Sequence, residues 1–299
     1  MEVQTTQQLS SCLTPGTLLA DRYRITAALG IGSTATVYSA VDTYHENFSV
    51  AVKVLHPKLA ANAAYVARFW REVKLLCTVT HPNIIRVFDI YADDGHVFYS
   101  MELLETATLK DTIDQRKFDV FSTAHIAAEL CRGLRAIHEK GIVHRDVKPG
   151  NVLLAEGYRV VLADFGAARG EASTITRTGE TVGSVCYIAP EAWDNTTPSP
   201  AGDYYSLGVV LYELTTQRLP FVGNSPYAVL HSQLKGDAPR PRALNRAIPR
   251  WLDALIVELL ERDPERRLSS PEQILERIES GLKRSTTWSA GRVLNLLRL

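Results

Sequence analysis

From Tyr23 to about Leu104 the hydrophobic positions fall mostly in short, β-branched runs. TATVYSAVD and SVAVKVL read as strands. IIRVFDIYADDGHVFYSMEL holds two apolar runs around Asp94-Gly95, a dipeptide that favours a tight hairpin turn. One helix interrupts this pattern, from about Asn62 to Cys77, where Val66, Phe69, Val73 and Leu76 recur at helical spacing. After Leu104 the helical period dominates. Between Phe121 and Lys140, Ile126, Leu130, Leu134 and Ile137 share one face, and Gly141 supplies a stop. Ser270-Pro271-Glu272-Gln273 combines an N-cap, a proline at the first helical position and a capping-box glutamine, which predicts a helix to about Gly281. The expected fold class is α+β: a small β-rich lobe with one helix over 21–104, then a larger, mainly helical lobe over 105–281. Residues 1–20 read as a flexible leader and 282–299 as a C-terminal tail.

Composition narrows the classes. A chain of 299 residues, 45% hydrophobic and 22% charged, can bury a sizeable core. Its 33 basic and 33 acidic side chains give zero formal net charge, so no basic surplus points to nucleic acid or anionic lipid. Cys12, Cys77, Cys131 and Cys186 are scattered, a spacing that suits neither a zinc site nor a disulfide framework. With no apolar run long enough for a membrane span and no secretory signature at the start, the chain is expected to be cytoplasmic, with reduced thiols.

Six segments carry the chemistry. Leu29-Gly30-Ile31-Gly32-Ser33-Thr34-Ala35-Thr36-Val37 is glycine-rich, and glycines let backbone approach phosphate oxygens with no Cβ in the way. Strand pattern on both sides argues against a dinucleotide-binding turn. Lys53, flanked by apolar residues in Ala51-Val52-Lys53-Val54, requires an anion if it is buried. Glu72 lies 19 residues further, on the predicted helix. His144-Arg145-Asp146-Val147-Lys148-Pro149-Gly150-Asn151 packs an acid, a cation and an amide into six positions. Phosphoryl transfer calls for such a set: a carboxylate to take the hydroxyl proton, a cation near the transferred phosphate and oxygen ligands for Mg²⁺. Asp164, in Ala163-Asp164-Phe165-Gly166, follows Asn151 by 13 residues and is a hard oxygen ligand. Gly183 to Glu191 closes a hydroxyl-rich stretch that opens at Asp164.

These six segments in this order resemble the signature set of protein kinases. The chain is similar to eukaryotic-like (Hanks-type) protein serine/threonine kinases, of the bacterial branch, from about Tyr23 to Gly281. The resemblance implies a bilobal protein kinase fold, with a small antiparallel sheet and one helix in the first lobe. It implies ATP and Mg²⁺ as cofactors and protein serine or threonine as acceptor. Asp146 would be the base and Lys148 its cationic neighbour. Lys53, held by Glu72, would contact the phosphates under the loop of Gly30, Gly32, Ser33, Thr34 and Ala35. Asn151 and Asp164 would hold the metal. Leu29, Val37, Ala51 and Leu153 would enclose the adenine, with Met101 as gatekeeper and Glu102 to Leu104 as hinge. Ala35 replaces the third glycine of the family pattern, which predicts a stiffer loop. Asp203 is similar to the aspartate that supports the catalytic loop, and Arg267 to the arginine that pairs with Glu191. Thr176 and Thr178 stand where bacterial members are phosphorylated, and family members also dimerise through the small lobe.

Two rival readings are weighed against this one. A pseudokinase scaffold would be signalled by loss of Lys53, Asp146 or Asp164, and all three are present. Small-molecule phosphotransferases typically lack the long segment ending at Ala189-Pro190-Glu191.

Overall fold

Strand β1 (Leu18–Leu19) opens a meander that continues through β2 (Tyr23–Ile31), β3 (Ala35–Asp42) and β4 (Phe48–Leu55). The computed structural model describes residues 13–165, 182–193 and 197–285. Two helices follow β4: α1 (Pro57–Ala60), a single turn, and α2 (Ala63–Leu76). Then come β5 (Val87–Asp93) and β6 (His96–Glu102). The six strands form one antiparallel sheet in the order β1-β2-β3-β4-β6-β5. One helix was expected here; the extra turn α1 arises because Pro57 at its first position presets a helical φ after His56. Asn62 caps α2 by accepting the Tyr65 amide at 3.0 Å. Asp94 and Gly95 both take positive φ, 42° and 76°, and bring Asp93 opposite His96, as the Asp-Gly pair predicts.

Period-two alternation divides the sheet's residues between its faces. On one face Tyr23, Ile25, Tyr38, Ala40, Val50, Val52, Val54 and Phe98 form a buried cluster. The intervening positions form two rows on the opposite face: Val37, Lys53 and Tyr99 lie side by side, as do Ser39, Ala51 and Met101. Helix α2 packs against the Tyr99 row, with the Phe69 ring 5.8 Å from the Tyr99 ring.

The remaining elements make up a second unit. Among the described residues, 13–80 and 85–104 form the first compact unit, and 81–84 with those from 105 to 285 the second. The second contains α3 (Leu109–Ile113), α4 (Val120–His138), the hairpin β7 (Val152–Leu154) and β8 (Val160–Leu162), α5 (Val182–Val185), α6 (Pro200–Thr216), α7 (Pro226–Lys235), α8 (Pro241–Leu244), α9 (Arg250–Leu259) and α10 (Pro271–Arg284). Helix α6 is buried from Asp203 to Thr215, as its nearly uninterrupted apolar sequence requires, and packs against α4 and α9. Gly141, at φ 72°, closes α4 through Gly141 N–H to His138 O at 2.9 Å and Ile142 N–H to Ile137 O at 3.0 Å. Ser270 caps α10 through the Gln273 amide, and the helix runs three residues past the predicted end. None of the described helices is long and apolar enough to cross a membrane.

Candidate active site

In the first unit the glycine-rich segment is the β2–β3 hairpin. Gly30 pairs with Val37 and Ile31 with Thr36, and the Gly32 amide donates to Ala35 O at 2.9 Å. Leu29 falls in an irregularity of the β2 register and is exposed. A Cβ placed on Gly30 would meet no atom within 4 Å, and neither Gly30 nor Gly32 takes a positive φ. Neither the backbone conformation nor crowding around a Cβ therefore requires glycine at 30. Ala35, in the position of the third glycine, is buried at the start of β3, and its carbonyl closes the turn.

His56 braces this hairpin from the end of β4. Its amide donates to Thr34 O at 2.9 Å, and its Nε2 lies 3.3 Å from Thr36 Oγ1. Burial holds its imidazole below the ordinary histidine range.

Lys53 is half-buried on β4, one row from the directly opposed pair Ala51 and Met101. Glu72 lies one turn beyond Phe69 on the face of α2 that buries Phe69, Val73 and Leu76. The phenol of Tyr65, one helical repeat earlier, registers both charges. Burial pushes it up to about 12 against the pull of Lys53, while Glu72 adds a smaller push upward. Glu102 ends β6, its amide bonded to Arg86 O at 2.8 Å, and Leu104 follows, half-buried.

In the second unit three predicted residues meet on one carboxylate. Lys148 Nζ donates to Asp146 Oδ2 at 2.9 Å, and Asn151 Nδ2 donates to the same oxygen at 2.9 Å and to Asp146 O at 2.8 Å. Asn151 Nδ2 also lies 3.3 Å from Asp164 O. With its amide nitrogen turned to these acceptors, the Asn151 amide oxygen faces away from them. Leu153 continues from Asn151 on β7, half-buried and paired with Val161.

Two residues of this constellation hold left-handed backbone: Arg145 at φ 66° and Asp164 at φ 56°. Such conformations cost about 1–3 kcal/mol each and persist only where surroundings over-determine them. Asp203, on α6, does so for Arg145: its Oδ1 accepts the Arg145 amide and its Oδ2 the His144 amide, both at 2.8 Å. His138 Nε2 lies 2.8 Å from the same Oδ2. His144 ties the loop to the segment before Asp164. The Asp146 amide donates to His144 Nδ1 at 3.2 Å, so the ring proton sits on Nε2 and bonds Ala163 O at 3.1 Å. Complete burial lowers the His144 pKa and keeps the ring neutral, as that bonding requires. The Phe165 ring packs 4.6 Å from it. Arg267 grips Glu191 with both terminal nitrogens, at 2.6 and 2.9 Å.

The donors at Asn151 and Asp164 are hard oxygens. Among the described residues no group of three or more His, Cys, Asp or Glu could hold a metal ion. A site of one or two protein oxygens completed by phosphates and water fits Mg²⁺, which rarely takes an all-protein cage. Thr176, Thr178 and Gly166 lie outside the described residues.

Sequence reasoning did not single out His56, His138, the ring bonds of His144, or Asn83. Asn83 bonds Glu129 Oε2 on α4 at 2.7 Å, 46 residues on, and Val160 O at 2.8 Å, 77 residues on, so it ties the β7–β8 hairpin to α4. Only long-range contacts reveal such roles.

A family model for the protein kinase domain matches residues 23–278. The chain belongs to the protein kinase domain family. This protein kinase is 34% identical over 267 residues to a probable serine/threonine-protein kinase of Clostridium acetobutylicum, covering 89% of this chain and 40% of that protein. It is also 34% identical over 249 residues to the serine/threonine-protein kinase PknL of Mycobacterium tuberculosis, covering 83% and 62%. The chain thus spans 40% and 62% of the length of these curated relatives. The kinase domain of Mycobacterium tuberculosis PknI superposes with a TM-score of 0.73 at 25% identity, covering 90% of this chain and 99% of that one. The kinase fold and the bacterial Hanks-type family read from the motifs are both met.

Proposed function

We propose that this chain transfers the γ-phosphate of Mg-ATP to serine or threonine hydroxyls of proteins. The observation that carries the reading is the double grip of Lys148 and Asn151 on Asp146 Oδ2. It orients a carboxylate to receive a hydroxyl proton and keeps a cation at 2.9 Å from it, beside the place where phosphate charge would develop. Lys148 itself favours serine and threonine acceptors, since tyrosine kinases of the superfamily usually carry arginine or alanine near that place.

The roles divide between the two units. Gly30, Gly32, Ser33, Thr34 and Ala35 offer backbone to the phosphates, Lys53 a cation and Glu72 its partner. Leu29, Val37, Ala51, Met101, Glu102, Leu104 and Leu153 serve the adenine. Asn151 and Asp164 would hold Mg²⁺, which when bound neutralises phosphate charge. Asp203 and His144 keep the loop of Asp146 in place before any substrate arrives. The domain is taken as residues 21–281, with autophosphorylation at Thr176 or Thr178.

Transfer of label from γ-labelled ATP to a generic protein acceptor tests the reading. The wild-type chain is expected to label it and the Asp146→Ala variant to fall by at least 100-fold. Equal labelling by both would reject it. Mass spectrometry of the same incubation tests Thr176 and Thr178; unmodified peptides from an active preparation would remove that part.

A further inference from the structure

Histidine at position 56 is not explained by the helix it begins. His56 is the N-cap of α1, at φ −62° and ψ 141°, and its carbonyl accepts the Leu59 and Ala60 amides at 2.9 and 3.0 Å. N-caps favour serine, threonine, aspartate and asparagine, whose short side chains accept an amide of the first turn. The His56 ring makes no such bond. It turns to the glycine-rich hairpin instead.

Three contacts run from His56 to the turn between β2 and β3. Its amide donates to Thr34 O at 2.9 Å, and its Nε2 lies 3.3 Å from Thr36 Oγ1. The Ser33 backbone also adjoins the ring and favours its proton, by less than burial opposes it. Thr36 is buried and paired on both sides, with Ile31 of β2 and Val54 of β4. Ser33 is exposed at the tip. The ring thus joins an anchored position to an exposed one. Glycine leaves such a tip free to sample many conformations. A brace from outside the turn lowers the ordering that a ligand must still impose on binding.

Resting on the reading that this hairpin receives the phosphates of Mg-ATP, we propose that His56 is a positioning residue for the nucleotide. Through Thr36 Oγ1 and the Ser33 backbone, its ring holds the hairpin tip in the shape that meets phosphate. It touches the hairpin and not the acceptor hydroxyl, so its loss weakens binding more than it slows transfer.

Calorimetry of Mg-ADP and of adenosine with the full chain tests this, beside kcat and the KM for ATP. Adenosine carries no phosphate and so reports general loosening alone. His56→Ala is expected to weaken Mg-ADP and raise the KM for ATP by about fivefold or more, with adenosine affinity and kcat within about twofold of wild type. His56→Gln, which returns an amide N–H near the place of Nε2, should recover most of the loss. Thr36→Val keeps the buried shape without the hydroxyl and should weaken Mg-ADP as well, and combining it with His56→Ala should add less than the sum of the two. Unchanged Mg-ADP affinity in His56→Ala, an equal loss of adenosine and Mg-ADP, glutamine as poor as alanine, or full additivity with Thr36→Val would each overturn the proposal. A wild-type chain that binds no Mg-ADP would reject the Mg-ATP reading itself, and the proposal with it; a wild-type chain that binds it with or without the ring would reject the role of His56 alone.

Discussion

Asp203 Oδ1 accepts the amide of Arg145 at 2.8 Å, and Arg145, in the loop that carries Asp146, is held at φ 66°. One buried carboxylate on α6 thus stabilises a backbone conformation that the loop would not adopt alone. Asp203→Ala leaves the His144 and Arg145 amides without their acceptor, at a cost of about 1–3 kcal/mol for each unsatisfied group. The variant is expected to unfold at lower urea concentration and to lose at least tenfold in kcat at temperatures where it remains folded. Wild-type kcat in folded protein would show that the loop holds its shape without Asp203.

Arg267 is fully buried and bonds Glu191 with both terminal nitrogens as well as the carbonyls of Glu261, Ala201 and Arg262. Removing one partner of such a pair costs about 3–5 kcal/mol, because the other charge and the carbonyls are left uncompensated. Arg267→Met is expected to lose that much in urea unfolding. Arg267→Lys should recover little of it, since an ammonium cannot reproduce the planar fork. Full recovery by lysine would mean that charge alone matters there.

Gly30 separates stability from nucleotide binding. With open space around its missing Cβ and ordinary φ, Gly30→Ala is expected to change stability by no more than about 0.5 kcal/mol. A side chain there stands where phosphate oxygens would approach, so the KM for ATP should rise several-fold. A destabilised protein with unchanged KM would contradict both halves of the argument.

Acid should act through His144. Its folded pKa lies below the ordinary value of about 6.5, because burial disfavours the charged ring. The unfolded chain therefore takes up the proton first. The stability linked to this group is complete above about pH 6.5 and is lost as pH falls below it. Nitrogen NMR is expected to show a mostly neutral ring, protonated on Nε2, at pH 6.5, where a free imidazole is half charged. A charged ring at that pH would remove the assigned bond from the Asp146 amide to Nδ1.

Much of this was legible in the sequence because the determining interactions are local. The Asp94-Gly95 turn, the Gly141 stop and the Ser270 cap each depend on a few neighbouring residues. So does the grip of Lys148 and Asn151 on Asp146, which spans only five positions. The motif order supplied the rest of the candidate site.

Helix α1 was missed because a four-residue turn has no period to detect. Sheet order, and with it the rows that set Lys53 beside Val37 and Tyr99, arises from pairing between strands far apart in the chain. The roles of Asn83, His138 and His144 depend on partners 19 to 77 residues distant. What the amino-acid order determined by itself was the family, the local elements and the set of candidate reactive groups, since those rest on short-range steric and hydrogen-bonding preferences and on motif order. Only the tertiary structure decided which buried groups hold Arg145 in left-handed backbone and fix the proton on His144. Both require burial and acceptors that exist only once distant segments have packed.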